Sequence, residues 1–290
     1  MDEITKLREK IDNVDDQIAK LYAERMSLVE DMAEAKKKCK VAVNDPQREQ
    51  KILDRITETV DGDLKSYLKQ VYTTIFETSK AYQKQLVKIN SPTRDKLEEV
   101  KARGLSAFPG TANLACRKNQ KDVVDKFFKN ANVSSFDTTS GAFDAVESGS
   151  CDYALLEIEN SVGVTDFSLY DLIKERGFCI VKGVNLPKCG RFVCVSKKFN
   201  AFSGANKISL TTILPNVSGS LNSFLSRFSL LGLNVTRLYA RPQACDKAKS
   251  ALYIDFEGSI ENCGVLNLIA ELENSAYPFA YLGAYSETTL

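Results

Sequence analysis

Residues 2–39 read DEITKLREKIDNVDDQIAKLYAERMSLVEDMAEAKKKC, and this stretch decides how the first part of the chain folds. Its apolar residues recur at alternating spacings of three and four from Ile4 to Ala35. Such a stripe is typical of a long helix that packs against a partner along one seam. A helix of about 38 residues would be about 57 Å long. Because that length exceeds a small compact monomer, we expect a helical dimer.

Two shorter helices follow, and their boundaries have local signals. Asp45 and Pro46 form an N-cap followed by a first-turn proline, which predicts the start of a second helix. The turn residues 61–63 end it, and a third helix runs to about Gln85. We therefore predict an all-α, three-helix domain over residues 1–90, assembled as an intertwined helical dimer.

Two cations on the long helix face the same direction. Arg25 occupies a position of the apolar seam, and Lys36 follows it at a distance that leaves only about 20° between the two side chains. They lie about 16 Å apart along the axis, so long side chains could converge on one small dianion. Arg8 lies about 25 Å from Arg25 and about 100° around the helix. Only an antiparallel partner chain could bring Arg8 to the same ligand.

The two shorter helices add further polar groups. Arg48 and Glu49 follow Asp45 directly, and Ser79 and Gln83 share one face of the third helix. With the cations of the long helix, this set suits a small ligand with two carboxylates and an ether or hydroxyl oxygen. It does not suit hydrolysis, because it lacks a nucleophile–base pair. An alternative is that these charges are solvated or set the coiled-coil register. Periodicity alone supports a helical dimer with buried positive charge.

Residues 1–87 resemble the all-helical chorismate mutase family. The segments that carry the resemblance are Leu7-Arg8-Glu9-Lys10-Ile11, Ala23-Glu24-Arg25, Ala35-Lys36, Asp45-Pro46-Gln47-Arg48-Glu49 and Ser79-Lys80-Ala81-Tyr82-Gln83. The resemblance implies an isomerase that converts chorismate to prephenate, a step of phenylalanine and aromatic amino-acid biosynthesis. That rearrangement is pericyclic and needs no covalent or proton-transfer step, so the enzyme orients the substrate and stabilises developing charge.

The same resemblance assigns substrate-binding roles to eight positions of this chain. Arg25, with Arg8 of a second copy, would hold the two carboxylates of the substrate. Lys36 and Gln83 would address the breaking ether oxygen. The other positions would orient the ring hydroxyl: Glu49, Arg48, Asp45 and Ser79. The residues assigned to catalysis are Lys36, Gln83, Glu49, Arg25 and Arg8.

From about Lys101 the sequence changes from one long helical pattern to short alternating elements. Short strands and helices alternate over 104–108, 111–118, 133–136, 141–148, 153–157, 169–176 and 178–184. This pattern predicts a small α/β unit over residues 101–198. A linker around residues 90–93 would separate it from the helical domain.

This middle segment resembles the first, periplasmic-binding-like lobe of prephenate dehydratase. The resemblance is carried by Phe108-Pro109-Gly110-Thr111-Ala112-Asn113, Phe143-Asp144-Ala145-Val146-Glu147-Ser148-Gly149, Asp152-Tyr153-Ala154-Leu155-Leu156-Glu157-Ile158-Glu159-Asn160-Ser161 and Tyr170-Asp171-Leu172-Ile173. Glu157 replaces the proline that usually precedes Ile-Glu-Asn in that family. Asn160 matches a substrate-site asparagine of the family, and its alternative role is that of a capping or turn residue.

The chain departs from the dehydratase family after Pro187. The second lobe, which closes over the substrate in that family, is missing, and the sequence passes directly to Gly190-Arg191-Phe192-Val193-Cys194-Val195. The family has Thr-Arg-Phe here, with a catalytic threonine, whereas Gly190 has no hydroxyl. We therefore expect a partial dehydratase lobe whose activity is absent or requires another chain.

Residues 205–290 have a βαββαβ pattern, with strands at 208–214, 233–238, 251–256 and 279–285 and helices at 218–231 and 261–274. This α+β pattern is ferredoxin-like. The segment resembles an ACT regulatory domain, which implies L-phenylalanine as an allosteric effector. The family motifs Gly-Ala-Leu and Glu-Ser-Arg-Pro here read Gly219-Ser220-Leu221 and Tyr239-Ala240-Arg241-Pro242. The residues predicted to bind phenylalanine are Asn216, Gly219, Ser220, Leu221, Arg241 and Pro242.

Composition excludes several classes of function. The formal net charge of +1 gives no global field for nucleic acid or a membrane surface, and no apolar run reaches the roughly 18 residues that span a bilayer. The chain has no histidine and no CxxC among its eight cysteines, so we expect no metal site and no histidine-dependent nucleophile. Neither GxGxxG nor a P-loop occurs, and we expect no cofactor. The acidic amino terminus and scattered cysteines favour the cytoplasm.

Three hypotheses remain for the whole chain. The first is a chorismate mutase, forming a homodimer or higher homo-oligomer, that acts on chorismate, yields prephenate and is regulated by phenylalanine. The second is a bifunctional chorismate mutase–prephenate dehydratase that forms phenylpyruvate; the missing lobe and Gly190 argue against it. The third is a non-catalytic amino-acid sensor that uses its helices only to dimerise, and the intact mutase positions argue against that.

Overall fold

Two units make up the computed structural model of this chain, which describes residues 2–39, 45–128, 130–187, 189–243, 246 and 248–289. The first unit is Met1–Ile89 and the second is Asn90–Leu290. The predicted segments 101–198 and 205–290 both fall in the second unit, and their division into separate domains stays a prediction. No helix within the described ranges is both long and apolar enough to cross a membrane.

The first unit consists of three helices, α1 (Glu3–Cys39), α2 (Pro46–Thr57) and α3 (Leu64–Gln85). The predicted helical character of this segment is confirmed. Asp45 caps α2, because its carboxylate accepts a hydrogen bond from the backbone N–H of Arg48 at 3.0 Å. The helix ends at Thr57, before the predicted turn at 61–63. A small core joins α2 to α3 and contains Leu53, Ile56 and Phe76.

The first half of α1 is exposed along its whole circumference. Every side chain from residue 2 to residue 24 is exposed, and the side-chain contact with α3 nearest to the amino terminus is a hydrogen bond from Tyr22 Oη to Thr78 Oγ1 at 3.0 Å. Six side chains of the apolar stripe are therefore 53–65% exposed to solvent: Ile4, Leu7, Ile11, Val14, Ile18 and Leu21. Exposed apolar side chains in such a row are a common feature of interaction surfaces.

The second unit begins with a helix that the sequence pattern did not predict. The boundary between the two units falls at the predicted linker, between Ile89 and Asn90. The linker is shorter than predicted, because α4 (Pro92–Ala102) starts within it, with Ser91 as its N-cap. Leu97 and Val100 bury its apolar side against a cluster that includes Leu266. The serine hydroxyl accepts a hydrogen bond from the N–H of Arg94 at 3.2 Å, a local signal that the sequence did contain.

The predicted strand at 104–108 is wrong. This stretch is irregular, and its backbone hydrogen bonds run from Gly104 N to Lys101 O at 3.0 Å and from Ser203 N to Ser106 O at 2.8 Å. Phe108 packs its ring against Tyr153 and Phe202, each with a centroid distance of 5.0 Å. The apolar residues of this stretch therefore anchor a loop, and short apolar runs do not distinguish that arrangement from a strand.

The remaining elements alternate as the sequence predicts, with one additional short helix, α5. In the first part they are β1 (Asn113–Arg117), α5 (Lys121–Phe127), β2 (Asn132–Phe136), α6 (Thr139–Glu147), β3 (Tyr153–Asn160), α7 (Phe167–Glu175), β4 (Cys179–Leu186) and β5 (Gly190–Ser196). In the second part they are β6 (Lys207–Pro215), α8 (Ser220–Leu230), β7 (Val235–Pro242), β8 (Lys249–Glu257), α9 (Cys263–Glu273) and β9 (Phe279–Thr289). The second part has the predicted βαββαβ order.

All the described strands belong to one mixed sheet with the order β2-β1-β3-β5-β4-β9-β6-β8-β7. Strand β1 pairs in parallel with β2 and β3, as in other α/β units. Strand β4 pairs in parallel with β9, with Lys182 opposite Ser286. This last pair joins the two parts of the second unit into one sheet, an arrangement that the separate sequence patterns did not predict.

A buried ion network reinforces this junction. Arg191 of β5 is 2% exposed and donates to Glu287 of β9 at 2.7 Å and to Asp255 of β8 at 2.8 Å. Lys207 of β6 also forms an ion pair with Glu287. Arg191 further donates to Tyr285 Oη at 2.7 Å. Because each buried charge has opposite charges and hydrogen bonds around it, the network is compatible with the interior.

Candidate functional site

A cavity of about 310 Å³ lies in the first unit, between the second half of α1, the start of α2 and the end of α3. It collects seven of the eight predicted mutase positions: Arg25, Lys36, Asp45, Arg48, Glu49, Ser79 and Gln83. Its apolar wall contains Leu28, Val29, Met32, Ile52 and Phe76. Positively and negatively charged side chains therefore share one cavity with an apolar wall. Small-molecule sites usually have this composition.

Arg25 is held in place at this cavity by two contacts. It donates a hydrogen bond to Ser79 Oγ, and its guanidinium lies 5.9 Å from the centre of the Phe76 ring. Ser79 is 4% exposed and donates in turn to the carbonyl oxygen of Ile75 at 2.6 Å. The seam cation predicted from the heptad pattern is therefore oriented by α3, with its charge at the cavity.

Gln83 lies one turn beyond Ser79 on α3. It is 7% exposed, and within the described part of the chain its Oε1 has no hydrogen-bond partner. A buried acceptor without a donor lowers the stability of the fold by about 1–3 kcal/mol. A ligand that donates a hydrogen bond to Oε1, or a bound group that gains a proton and then donates it, would recover that energy. Lys36 is half-buried and lines the same cavity from α1.

The carboxylates of the cavity both have partners. Glu49 forms an ion pair with Lys80 at 3.1 Å, and Asp45 is occupied as the cap of α2. Lys80 also lines the cavity and was not among the predicted residues. The sequence indicated its proximity to the site only through its position directly after Ser79. Its ion pair with Glu49 of α2 joins distant parts of the sequence and could not be inferred from spacing.

Arg8 is the one predicted mutase residue that does not line this cavity. It is exposed on the first half of α1. The structure of a single chain therefore agrees with the geometric argument that Arg8 cannot reach the ligand held by Arg25 of the same helix.

A second cavity, of about 370 Å³, lies in the second unit at the end of β3. Asn160 lines it, and its Oδ1 accepts hydrogen bonds from the N–H groups of Val162 at 3.1 Å and Val164 at 2.9 Å. The side chain thus organises the turn that follows β3, which was one of the two roles considered for it.

Gly190 begins β5 opposite Asn160 of β3, and only three residues separate it from the end of β4 at Leu186. Its φ is +110°, and a Cβ atom at this position would lie 2.3 Å from the carbonyl oxygen of Glu159. A side chain is therefore excluded here by backbone atoms. The glycine at this position is thus required by the short connection from β4 to β5.

The residues predicted to bind phenylalanine lie where two strands end. Asn216 follows β6 and Pro242 ends β7, and both strands flank the first residues of β8. Gly219, with a φ of +86°, precedes α8, whose first turn contains Ser220 and Leu221. The two predicted motifs are therefore at one edge of the sheet.

The side chain of Arg241 has other partners. It forms an ion pair with Asp171 of α7 at 2.6 Å, and its guanidinium lies 5.6 Å from the Phe167 ring centre and 5.7 Å from that of Tyr253. It lines a small cavity of about 40 Å³ to which Gly219 does not contribute. The structure does not bring this side chain together with the α8 motif.

Comparison with known proteins identifies the first unit. Residues 7–84 match the family model described as chorismate mutase type II. A chorismate mutase from Methanocaldococcus jannaschii is 38% identical over 90 residues, which cover 29% of this chain and 88% of that protein. The chain belongs to the chorismate mutase family. Most of the chain lies beyond the mutase match, which ends at residue 84.

The chain is also similar to proteins named as prephenate dehydratases. A bifunctional chorismate mutase/prephenate dehydratase from Buchnera aphidicola subsp. Acyrthosiphon pisum is 30% identical over 181 residues, which cover 62% of this chain and 46% of that protein. The chain thus matches about half the length of this relative. The structure of a prephenate dehydratase from Streptococcus mutans aligns with a TM-score of 0.53 and 24% identity, covering 62% of this chain and all of that one. That likeness concerns the fold.

Proposed function

We propose that the first unit of this chain converts chorismate to prephenate. The observation that carries the proposal is the single cavity that holds seven of the eight positions assigned by the mutase resemblance. Its volume of about 310 Å³ suits a small ring-containing dianion. The reaction is pericyclic, so a site without a nucleophile–base pair is sufficient.

The cavity supports a role for each group. Arg25, oriented by Ser79 and Phe76, binds one carboxylate of the substrate. Lys36 and the amide N–H of Gln83 would donate to the breaking ether oxygen, where negative charge develops in the transition state. Glu49, restrained by Lys80, takes the ring hydroxyl with the other groups of α2. Holding the reactive conformer and stabilising that charge are the two contributions to rate.

A homodimer completes the site in this proposal. The exposed stripe on the first half of α1 would lie against a second copy, because the same stripe on both chains is self-complementary in a symmetric dimer. Arg8, which lies in this half of the helix, would enter the partner's cavity and bind the second carboxylate of the substrate. Higher oligomers built from such dimers are compatible with the same contact.

The decisive assay follows chorismate consumption by the full chain, with and without L-phenylalanine. Turnover of chorismate to prephenate is expected. A folded, dimeric chain that consumes no chorismate would overturn the proposal and leave the amino-acid sensor as the better hypothesis.

Inhibition by L-phenylalanine through residues 205–290 is the regulatory part of the proposal. It is supported by the βαββαβ arrangement and by the two motifs at one sheet edge. Tyr239, which stands in place of the family's glutamate, donates to Glu159 at 3.0 Å, and Arg241 is paired with Asp171. Phenylalanine would therefore have to replace contacts with the preceding lobe, and we expect weak inhibition.

We also propose that the chain lacks prephenate dehydratase activity. The support is the three-residue connection from β4 to β5, where the second lobe would be, and the close approach of Gly190 to Glu159. Prephenate added to the full chain should give no phenylpyruvate. Formation of phenylpyruvate would favour the bifunctional alternative.

A further inference from the structure

The cavity at the end of β3 has features that the proposed mutase does not use. It lies at the carboxyl ends of the parallel strands β1 and β3, where α/β sheets commonly bind ligands. Its volume of about 370 Å³ is in the range of small-molecule sites. Arg117 ends β1, Glu157 lies in β3, and Thr139 begins α6; all three line the cavity.

Two opposite charges in this cavity are not engaged with the rest of the molecule. Arg117 is half-buried, and its Nε is buried without a hydrogen-bond partner among the described residues. Glu157 is also half-buried, and its carboxylate has neither an ion pair nor a hydrogen bond within the described ranges. The two do not form an ion pair with each other. Half-buried charges without partners are costly, and a ligand with complementary charges would stabilise both.

A third group adds an independent requirement. Gln120 lines the same cavity and is 3% exposed, and in the described structure its Oε1 accepts no hydrogen bond. This buried oxygen needs a donor, as Glu157 does, whereas the Arg117 Nε–H needs an acceptor. A ligand that carries both a donating cation and an accepting anion would satisfy all three groups.

We propose that this cavity binds a free α-amino acid. The carboxylate of the ligand would accept from Arg117, and its ammonium would donate to Glu157 and Gln120. Prephenate is a poor candidate because it carries two carboxylates and no ammonium, and the unpaired carboxylate of Glu157 would repel it. Glu157 is also the residue that replaces the usual proline of similar dehydratases.

The experiment uses the full chain and each of the twenty L-α-amino acids in turn as probes. Thermal unfolding identifies the most stabilising amino acid, and calorimetry then compares it with its deaminated acid and its decarboxylated amine. At least one amino acid should bind, and each truncated analogue should bind at least about tenfold more weakly, because each loses one charge-assisted contact. If none binds, the proposal is wrong.

Two variants test the location. Glu157→Gln and Arg117→Met should each weaken binding by at least about tenfold, whereas the exposed controls Glu175→Gln and Arg103→Met should leave it unchanged. Binding that is unaffected by both cavity variants would overturn the proposal and place the amino acid elsewhere, for example at the sheet edge proposed for phenylalanine. Chorismate turnover by the same variants should equal that of the unsubstituted chain, so failure of this proposal is distinguishable from failure of the proposed mutase.

Discussion

The carbonyl oxygen of Glu159 lies 2.3 Å from the place where a Cβ atom on residue 190 would be. Gly190 has a φ of +110°, a backbone conformation that side chains rarely adopt. Both constraints arise because β5 starts immediately after the tight connection from β4 and pairs with the end of β3. The positive φ and the lack of space for a side chain at residue 190 thus have one structural cause, the short connection from β4 to β5.

Replacing Gly190 should therefore unfold the second unit more easily without restoring dehydratase chemistry. Gly190→Ala should lower the free energy of unfolding by at least about 3 kcal/mol, since strain and a backbone clash combine. Gly149→Ala is the matched control, because Gly149 also has a positive φ, +79°, but no atom within 4 Å of a Cβ. It should cost about 1 kcal/mol. Urea unfolding followed by circular dichroism measures both, and equal losses would contradict the clash.

Lys36→Ala should reduce kcat for chorismate by several orders of magnitude, because the charge on the ether oxygen in the transition state would lose its cation. The half-buried position of Lys36 on an otherwise regular helix predicts that the fold survives. Steady-state kinetics with the exposed Lys20→Ala as control tests this. A Lys36→Ala enzyme with near-normal kcat would show that Lys36 does not stabilise the transition state.

Arg8 and Arg25 should complement each other between chains. Arg8→Ala and Arg25→Ala should each be nearly inactive alone, since each removes one carboxylate contact from every site. In a mixed dimer one site keeps both arginines, so random reassociation of the two variants should restore about a quarter of normal activity. The two variants are mixed, unfolded and refolded together, and the activity of the mixture on chorismate is then measured. No recovery from a preparation shown to contain mixed dimers would mean that Arg8 does not act across the dimer.

The ion network predicts how the second unit responds to acid. Burial by itself raises the pKa of Glu287, but the charge of Arg191 and hydrogen bonds from Lys207 and Arg191 outweigh it and lower the pKa from 4.5 to about 2. A carboxylate with a lowered pKa stabilises the fold above its unfolded pKa. That contribution, about 3 kcal/mol, is present above pH 4.5 and is lost as the pH falls toward 2.

Glu287→Gln should therefore destabilise the second unit at pH 7 and flatten its loss of stability between pH 4.5 and 2. Urea unfolding at a series of pH values gives both quantities. The exposed Glu175→Gln serves as the control and should keep the steep acid dependence. An unchanged slope in Glu287→Gln would show that other carboxylates govern the acid transition.

Where the sequence predicted the structure well, the signal was local. The cap at Asp45 and the apolar stripe of α1 depend on residues within a few turns of one another, and both are found. The prediction of a strand at 104–108 was wrong because the apolar side chains of this segment anchor a loop. Phe108, for example, contacts Phe202, which is distant in sequence. The start of α4 at Ser91 and Pro92 had an equally local signal that was interpreted as a linker.

By itself, the sequence determined the helices of the first unit, the polar positions that they present and the absence of a histidine-based site, because helix periodicity and side-chain chemistry are local properties. Only the tertiary structure decided that Gln83 is a buried acceptor without a partner, that Lys80 restrains Glu49, and that β4 pairs with β9 to make one sheet. These features depend on groups far apart in the chain, whose pairing is set by the packing and desolvation of the whole unit and not by any repeat along the sequence.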